Sequence, residues 1–145
     1  CMRLTAADAA ALPALEDGER GVMIGTASVA AFEGQVGQCA YAASKGALLS
    51  AMFYMAKELG PDKIRVNMVV PTWMWGPPVQ MYVKWQADQR GVSQDAVVGE
   101  ITADMPLGKI PADEDVAEAV AFFCSDRARM ITGQSLLVNA GELMH

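Results

Sequence analysis

Histidine is almost missing from this sequence: there is one, His145, and it is the last residue. A histidine metal site, a Ser-His-Asp triad and a Cys-His dyad would each depend on that terminal side chain, so all three chemistries are set aside. Cysteine is sparse as well. Cys1, Cys39 and Cys124 are far apart, odd in number and form no C-x-x-C. That excludes a disulfide framework and fits thiols used as small hydrophobes in a reducing, cytoplasmic setting. Basic clusters are also lacking. Eleven Lys and Arg against seventeen Asp and Glu leave a net charge of −6, so neither nucleic acid nor an anionic membrane is an expected partner. No apolar run approaches the ~20 residues of a membrane span, and no signal peptide, repeat or low-complexity tract is visible.

What is present is core material. Over 145 residues, 52% are hydrophobic and 19% charged, which predicts a packed domain or part of one rather than disorder. The chain opens on Cys1 in a stretch that already reads as mid-helix. "TAADAAALPALE" (5–16) is helical in pattern, with Pro13 a break, so a part of a longer chain is expected.

"VMIGTAS" (22–28) is a short apolar run entered from glycine and left through small polar residues, a buried strand. A helix follows over about residues 40–59, stopped by "GPDK" (60–63). "IRVNMVV" (64–70) is a second strand, closed by Pro71. Residues 72–110 are rich in Trp, Met and Pro, with short helices near 79–90 and 93–104. "PADEDVAEAVAFFCSDRAR" (111–129) is a helix with Asp113, Glu114 and Asp115 at its positive end and Arg127 and Arg129 near or beyond its C-terminus. "SLLVN" (135–139) is a third strand after the turn "TGQ". Strands alternating with helices predict an α/β fold with a parallel sheet and crossover helices. Three strands are too few for a doubly wound sheet, so a first half is expected to be missing.

The helix at 40–59 carries the chemistry. Tyr41, Lys45, Leu48, Met52, Met55 and Leu59 recur at steps of four and three and share a face, while Ala42, Ala43, Ala47, Leu49, Phe53 and Ala56 make the other faces apolar too. Such a helix is expected to be buried on more than one side, with the face of Ala42, Leu49, Phe53 and Ala56 expected to meet a second copy, so Lys45 either snorkels out or faces a cleft. An ammonium one helical turn from a phenol favours the phenolate and brings donors for a ligand hydroxyl, an arrangement suited to proton transfer. Alone, Y-x-x-x-K reads equally as a core tyrosine beside a snorkelling lysine. Ser28, thirteen residues before Tyr41, taken alone reads as a turn or capping serine. Ser28 and Pro71 nevertheless fall at the C-terminal edge of the expected sheet, where open α/β sheets bind ligands.

These residues resemble the C-terminal half of a short-chain dehydrogenase/reductase, and the resemblance covers nearly the whole chain. It rests on a serine after the strand, Y-x-x-x-K, "RVN" with its closing proline, and "ITGQSLLVNAG" at the last strand. The block "TASVAAFEGQVGQCAYAASKG" is especially similar to the type-10 hydroxysteroid/3-hydroxyacyl-CoA dehydrogenase branch. The resemblance implies the C-terminal part of a Rossmann-like doubly wound parallel sheet. Residues 1–145 would belong to one NAD(P)-binding domain, with 72–110 as its substrate loop. It implies Tyr41 as general acid/base, Lys45 as the ligand of the nicotinamide ribose, and Ser28 as donor to the substrate oxygen. Pro71 and Met74 would meet the cofactor, NAD or NADP, and no metal would be needed. A small-molecule alcohol or ketone would be the substrate, and dimers or tetramers the assembly.

Departures from the pattern are specific. The glycine-rich T-G-x-x-x-G-x-G loop is absent, and the family's catalytic asparagine would fall just before Cys1. Where the family has P-G-x-x-x-T, this chain has "PTWMWG", with Thr72 for the glycine and Gly76 for the threonine, so a main-chain contact at Met74 survives while the hydroxyl contact does not. "VNAG" (138–141) follows the last strand and is read as structural. "WMWGPPVQMYVKW" (73–85), with three tryptophans, two methionines and a tyrosine, fits a bulky apolar substrate or, equally, a covered core or subunit contact. Two competing readings stand beside the oxidoreductase: a catalytically silent half-domain acting as an oligomerisation module, and an isomerase or dehydratase that reuses Y-x-x-x-K.

Overall fold

A computed structural model describes residues 21–144. The expected helix at 5–16, Cys1 and His145 lie outside the described residues. Three strands, β1 (Val22–Thr26), β2 (Arg65–Pro71) and β3 (Ser135–Val138), form one parallel sheet in the order β1-β2-β3. The register pairs Val22 with Arg65 and Thr26 with Val69, then Met68 with Ser135 and Pro71 with Val138. Helix α1 (Cys39–Leu59) links β1 to β2. Helices α2 (Pro77–Arg90), α3 (Gln94–Ile101) and α4 (Asp113–Cys124) lie between β2 and β3. The parallel α/β architecture expected from the sequence is therefore present.

Side chains alternate across the sheet, and each face has its own helix. Val66, Met68 and Val70 of β2 pack with Met52, Ala56 and Leu59 of α1. Val69, with Ile24 and Val138, packs on Val116 and Phe123 of α4 from the other side. A strand covered on both faces reads as a nearly continuous apolar run, and Val66 through Pro71 are all buried. The interruption is Asn67, 0% exposed, whose amide is used twice: Nδ2 donates to the Ile131 carbonyl at 2.8 Å and Oδ1 accepts from the Gln134 N–H at 3.1 Å. Helices α2 and α3 have a small core of their own in Val83, Ala87 and Val97.

Helix α1 departs from expectation in one respect. Its stripe Leu48, Met52, Met55 and Leu59 does face the sheet, but the helix is not buried all round. Of the second face expected to be free for another subunit, Ala42, Leu49, Phe53 and Ala56, two members are committed to the core. Leu49 packs against it and Ala56 is 9% exposed, while Phe53 is 51% exposed. The solvent-facing stripe is Ala40, Ala43, Ala47, Ser50 and Tyr54 instead.

The C-terminal turn supports the structural reading of "VNAG". Asn139 is buried, donating from Nδ2 to the Leu143 carbonyl at 2.8 Å and accepting from the Gly141 N–H at 3.1 Å. Ala140 and Gly141 both take left-handed backbone, φ 52° and 88°.

Candidate active site

The C-terminal ends of β1 and β2 open into a cavity of about 510 Å³. Chain leaving β1 passes Ala27 and enters a short 3-10 turn, Val29–Ala31, of which Ser28 is the N-cap. Ser28 Oγ accepts from the Ala30 N–H at 3.3 Å. The capping role is therefore real, yet it uses only a lone pair, so the hydroxyl hydrogen remains available to a ligand. Tyr41 sits in the first turn of α1 and is 47% exposed, and its hydroxyl has no hydrogen-bond partner among the described residues. Both residues line the cavity, together with Met74.

Lys45 neither snorkels freely nor lines the cavity. Its Nζ donates to the Thr26 carbonyl at 2.9 Å, at the C-terminal end of β1, and lies 5.7 Å from the Tyr41 ring centroid. An ammonium has three donors, so this anchor leaves two for a ligand. Pro71, the last residue of β2, is buried and does not line the cavity. Its part is to end the strand, after which Thr72, Trp73 and Met74 turn into the cavity wall. Of the residues expected from sequence, Ser28, Tyr41 and Met74 thus converge directly, while Lys45 and Pro71 stand behind them.

Thr72 and Gly76, the two departures, have structural explanations. Thr72 donates its hydroxyl to a Glu142 carboxylate oxygen, tying the loop after β2 to the segment after β3. Gly76 is buried at the N-cap of α2, and a Cβ there would meet Asp113 Oδ2 at 2.6 Å. A side chain and this carboxylate compete for one space.

Sequence reasoning missed three polar members of the wall, Gln35, Gln38 and Asp113. Asp113 had read as a helix-end charge, and no local spacing connects it with Gly76. The Gln pair carries no recognisable pattern; Gln38 Nε2 donates to Gln35 Oε1 at 2.9 Å. The apolar wall includes Val29, Ala30, Trp73 and Val79. Trp73 stacks at a tilt on Tyr82, centroids 5.4 Å apart, and Tyr82 meets Trp85 at 6.3 Å. One tryptophan of the Trp-rich segment therefore faces the cavity, while Trp75 and Trp85 are exposed.

Among the described residues no helix is long and apolar enough to cross a membrane.

Comparison with known proteins finds relatives for the fold. A family model described as Enoyl-(Acyl carrier protein) reductase matches residues 3–142. The human protein named (3R)-3-hydroxyacyl-CoA dehydrogenase is 37% identical over 136 residues, covering 94% of this chain and 48% of that protein. A solved structure from Brucella melitensis, titled short-chain dehydrogenase/reductase SDR:glucose/ribitol dehydrogenase, superposes with a TM-score of 0.77 at 31% identity, over 93% of this chain and 49% of that one. The aldohexose dehydrogenase of Thermoplasma acidophilum gives a TM-score of 0.83 at 27% identity, over 94% and 53%. The chain spans about half the length of the curated relatives it matches.

Proposed function

Since the chain belongs to the short-chain dehydrogenase/reductase family, we propose that the protein carrying it interconverts a secondary alcohol and a ketone with NAD or NADP. One observation carries the proposal: Ser28, Tyr41 and Met74 converge on a single cavity at the C-terminal sheet edge, with the Lys45 ammonium anchored 5.7 Å from the Tyr41 ring. In this reading the chain is the C-terminal part of one NAD(P)-binding domain, and 72–110 is its substrate loop.

The residues present fit the nicotinamide end of such a cofactor. Lys45 has two unspent donors for ribose hydroxyls, and the backbone at Met74 lies in the cavity wall. When bound, the cofactor supplies or accepts the hydride. The chain's own residues handle the proton and the oxygen. Ser28 donates its free O–H to the substrate oxygen, and Tyr41, with its hydroxyl otherwise unengaged, gives that oxygen a proton or takes one from it. Val29, Ala30, Trp73 and Val79 would hold a bulky apolar substrate body.

The test is Tyr41→Phe in the longest natural polypeptide containing this chain, followed by cofactor absorbance. Loss of an acid/base group should lower kcat by about 10²–10⁴-fold with the circular dichroism spectrum unchanged. Near wild-type kcat would overturn the assignment. Absence of turnover with either cofactor across alcohols and ketones would favour the silent-module reading.

We also propose that this protein is a homodimer or homotetramer built on the exposed stripe of α1. The face is small-residue rich, with Ala43 and Ala47 exposed, and ends in Tyr54, 67% exposed, beside Phe53. Isologous pairing is the commonest closure for such a face. Tyr54→Glu should shift the protein to monomer in light scattering, and a monomeric wild type at micromolar concentrations would refute the contact.

A further inference from the structure

On the reading just given, we infer that Asp113 is a ligand-binding residue whose carboxylate accepts a hydrogen bond from an N–H or O–H donor of the molecule in the cavity.

The carboxylate has been given room at the expense of another side chain. A Cβ on Gly76 would lie 2.6 Å from Oδ2, closer than real Cβ contacts, and tightly against Oδ1 at 3.0 Å and Cγ at 3.2 Å. In this rotamer the oxygens of Asp113, an exposed side chain, occupy the volume into which a side chain at residue 76 would first project, and that volume borders the cavity with Ser28 and Tyr41.

Among the described residues nothing uses this exposed carboxylate. The N-terminus of α4 is served by Asp115, which accepts from the Ala112 N–H at 2.8 Å. Asp113 has no hydrogen bond or ion pair among the described residues. The N-termini of α2 and α4, both with positive dipole ends, meet at Gly76 and Asp113 and support a negative charge there without a cationic side chain.

Charge then selects the ligand group. Among the described residues Asp113 is the only charged side chain in the cavity wall; its polar companions, Ser28, Gln35, Gln38, Tyr41 and Thr72, are neutral. A phosphate or carboxylate at this end would meet like charge, whereas an amide N–H, a hydroxyl or an ammonium would meet an acceptor. Two sources carry that chemistry: the primary amide of the nicotinamide, and a hydroxyl or amine on the substrate.

The experiment measures binding, read by tryptophan fluorescence and calorimetry, on the longest natural polypeptide containing the chain. Wild type, Asp113→Ala and Asp113→Asn are titrated with NAD(P)H, with its acetylpyridine analogue (a methyl ketone replacing the amide), and with substrate pairs that differ by one hydroxyl. Losing a hydrogen bond to a charged acceptor should weaken binding roughly 10- to 100-fold in Asp113→Ala, with Asp113→Asn between it and wild type. A loss with NAD(P)H that the analogue does not show assigns the donor to the cofactor amide. A loss confined to hydroxylated substrates assigns it to the substrate. Gly76→Thr in the Asp113→Ala background returns an oxygen to the vacated space and should recover part of the affinity. Affinities of Asp113→Ala equal to wild type for every ligand would overturn the inference and leave the Tyr41 assignment standing. A wild type with no affinity for either nicotinamide cofactor would overturn both.

Discussion

Asn67→Ala should be among the most damaging single truncations in the sheet. The side chain is 0% exposed in the middle of β2, and its amide is spent on the main chain of the turn leading into β3. Alanine removes both bonds and leaves the Ile131 carbonyl and the Gln134 N–H without partners. An orphaned buried group costs about 1–3 kcal/mol; with Ile131 half-buried and Gln134 exposed, water can reach part of the pair, so the loss should be about 1–3 kcal/mol. That is a large share of a typical stability of roughly 5–15 kcal/mol. Urea unfolding followed by circular dichroism measures it. With m near 2 kcal/mol per molar, the midpoint should fall by about 0.5–1.5 M. Asn67→Asp is a sharper probe. A carboxylate can still accept from Gln134 but faces the Ile131 carbonyl, which it can meet only when protonated. Its folded pKa should therefore be raised, so the variant should lose stability as pH rises above about 4 and be weakest at neutral pH. If Asn67→Ala unfolded within about 0.5 kcal/mol of wild type, the two main-chain groups must find other partners, and the reasoning fails.

Other substitutions test other contacts. Gly141→Ala puts a Cβ 3.0 Å from Pro106 at φ 88° and should cost about 1–3 kcal/mol, whereas Ala140→Gly, at φ 52°, should be neutral or stabilising by up to about 1 kcal/mol; thermal melts of the two should move apart. Arg90 donates from Nη1 and Nη2 to the two Glu100 carboxylate oxygens at 2.7 and 2.6 Å, and this hydrogen bonding, more than charge alone, holds the Glu100 carboxyl below its ordinary value. A lowered carboxyl pKa contributes stability present above the unfolded value and lost as pH falls through the folded one, a small effect at an exposed pair. In Arg90→Ala the carboxyl should titrate at higher pH by NMR, and an unmoved midpoint would contradict the pairing. Thr72→Val removes the hydroxyl that meets Glu142; it should raise cofactor or substrate KM more than it lowers kcat, with Thr72→Ser close to wild type, and identical kinetics for all three would show that the tie does not position the loop.

Much of the fold was readable because it is written in local pattern. Each strand is a short apolar run bounded by glycine, proline or small polar residues, and the order strand-helix-strand left parallel pairing as the economical connection. Boundaries differ by a few residues where local signals compete. The predicted end of β1 at residue 28 falls instead at Thr26, because Ser28 caps the following turn. The helix at 111–129 divides at Ser125, whose extended backbone separates α4 from the 3-10 turn Asp126–Ala128.

What stayed hidden required knowing which way a helix is turned, or which distant residues meet. Helix α1 is apolar or small on almost every side, so its sequence contains no polar stripe to mark the solvent face. The step of four and three correctly groups Leu48, Met52, Met55 and Leu59, but the arc beyond that stripe is set by the width of the sheet beneath. Leu49 and Ala56 fall inside that width and Phe53 falls outside it. The two departures at residues 72 and 76 are the same problem at longer range. Each looks like a loss when read along the chain, because its partner, Glu142 or Asp113, arrives from the segment after β3 or from α4. Folded, neither position is merely a missing residue: Thr72 has gained a carboxylate to hold, and Gly76 has yielded its side-chain space to one. A pattern of departures whose partners meet only in three dimensions is what a pocket reshaped for its own ligand would produce, and it is why the Asp113 variants probe this site more directly than further reading of the motif.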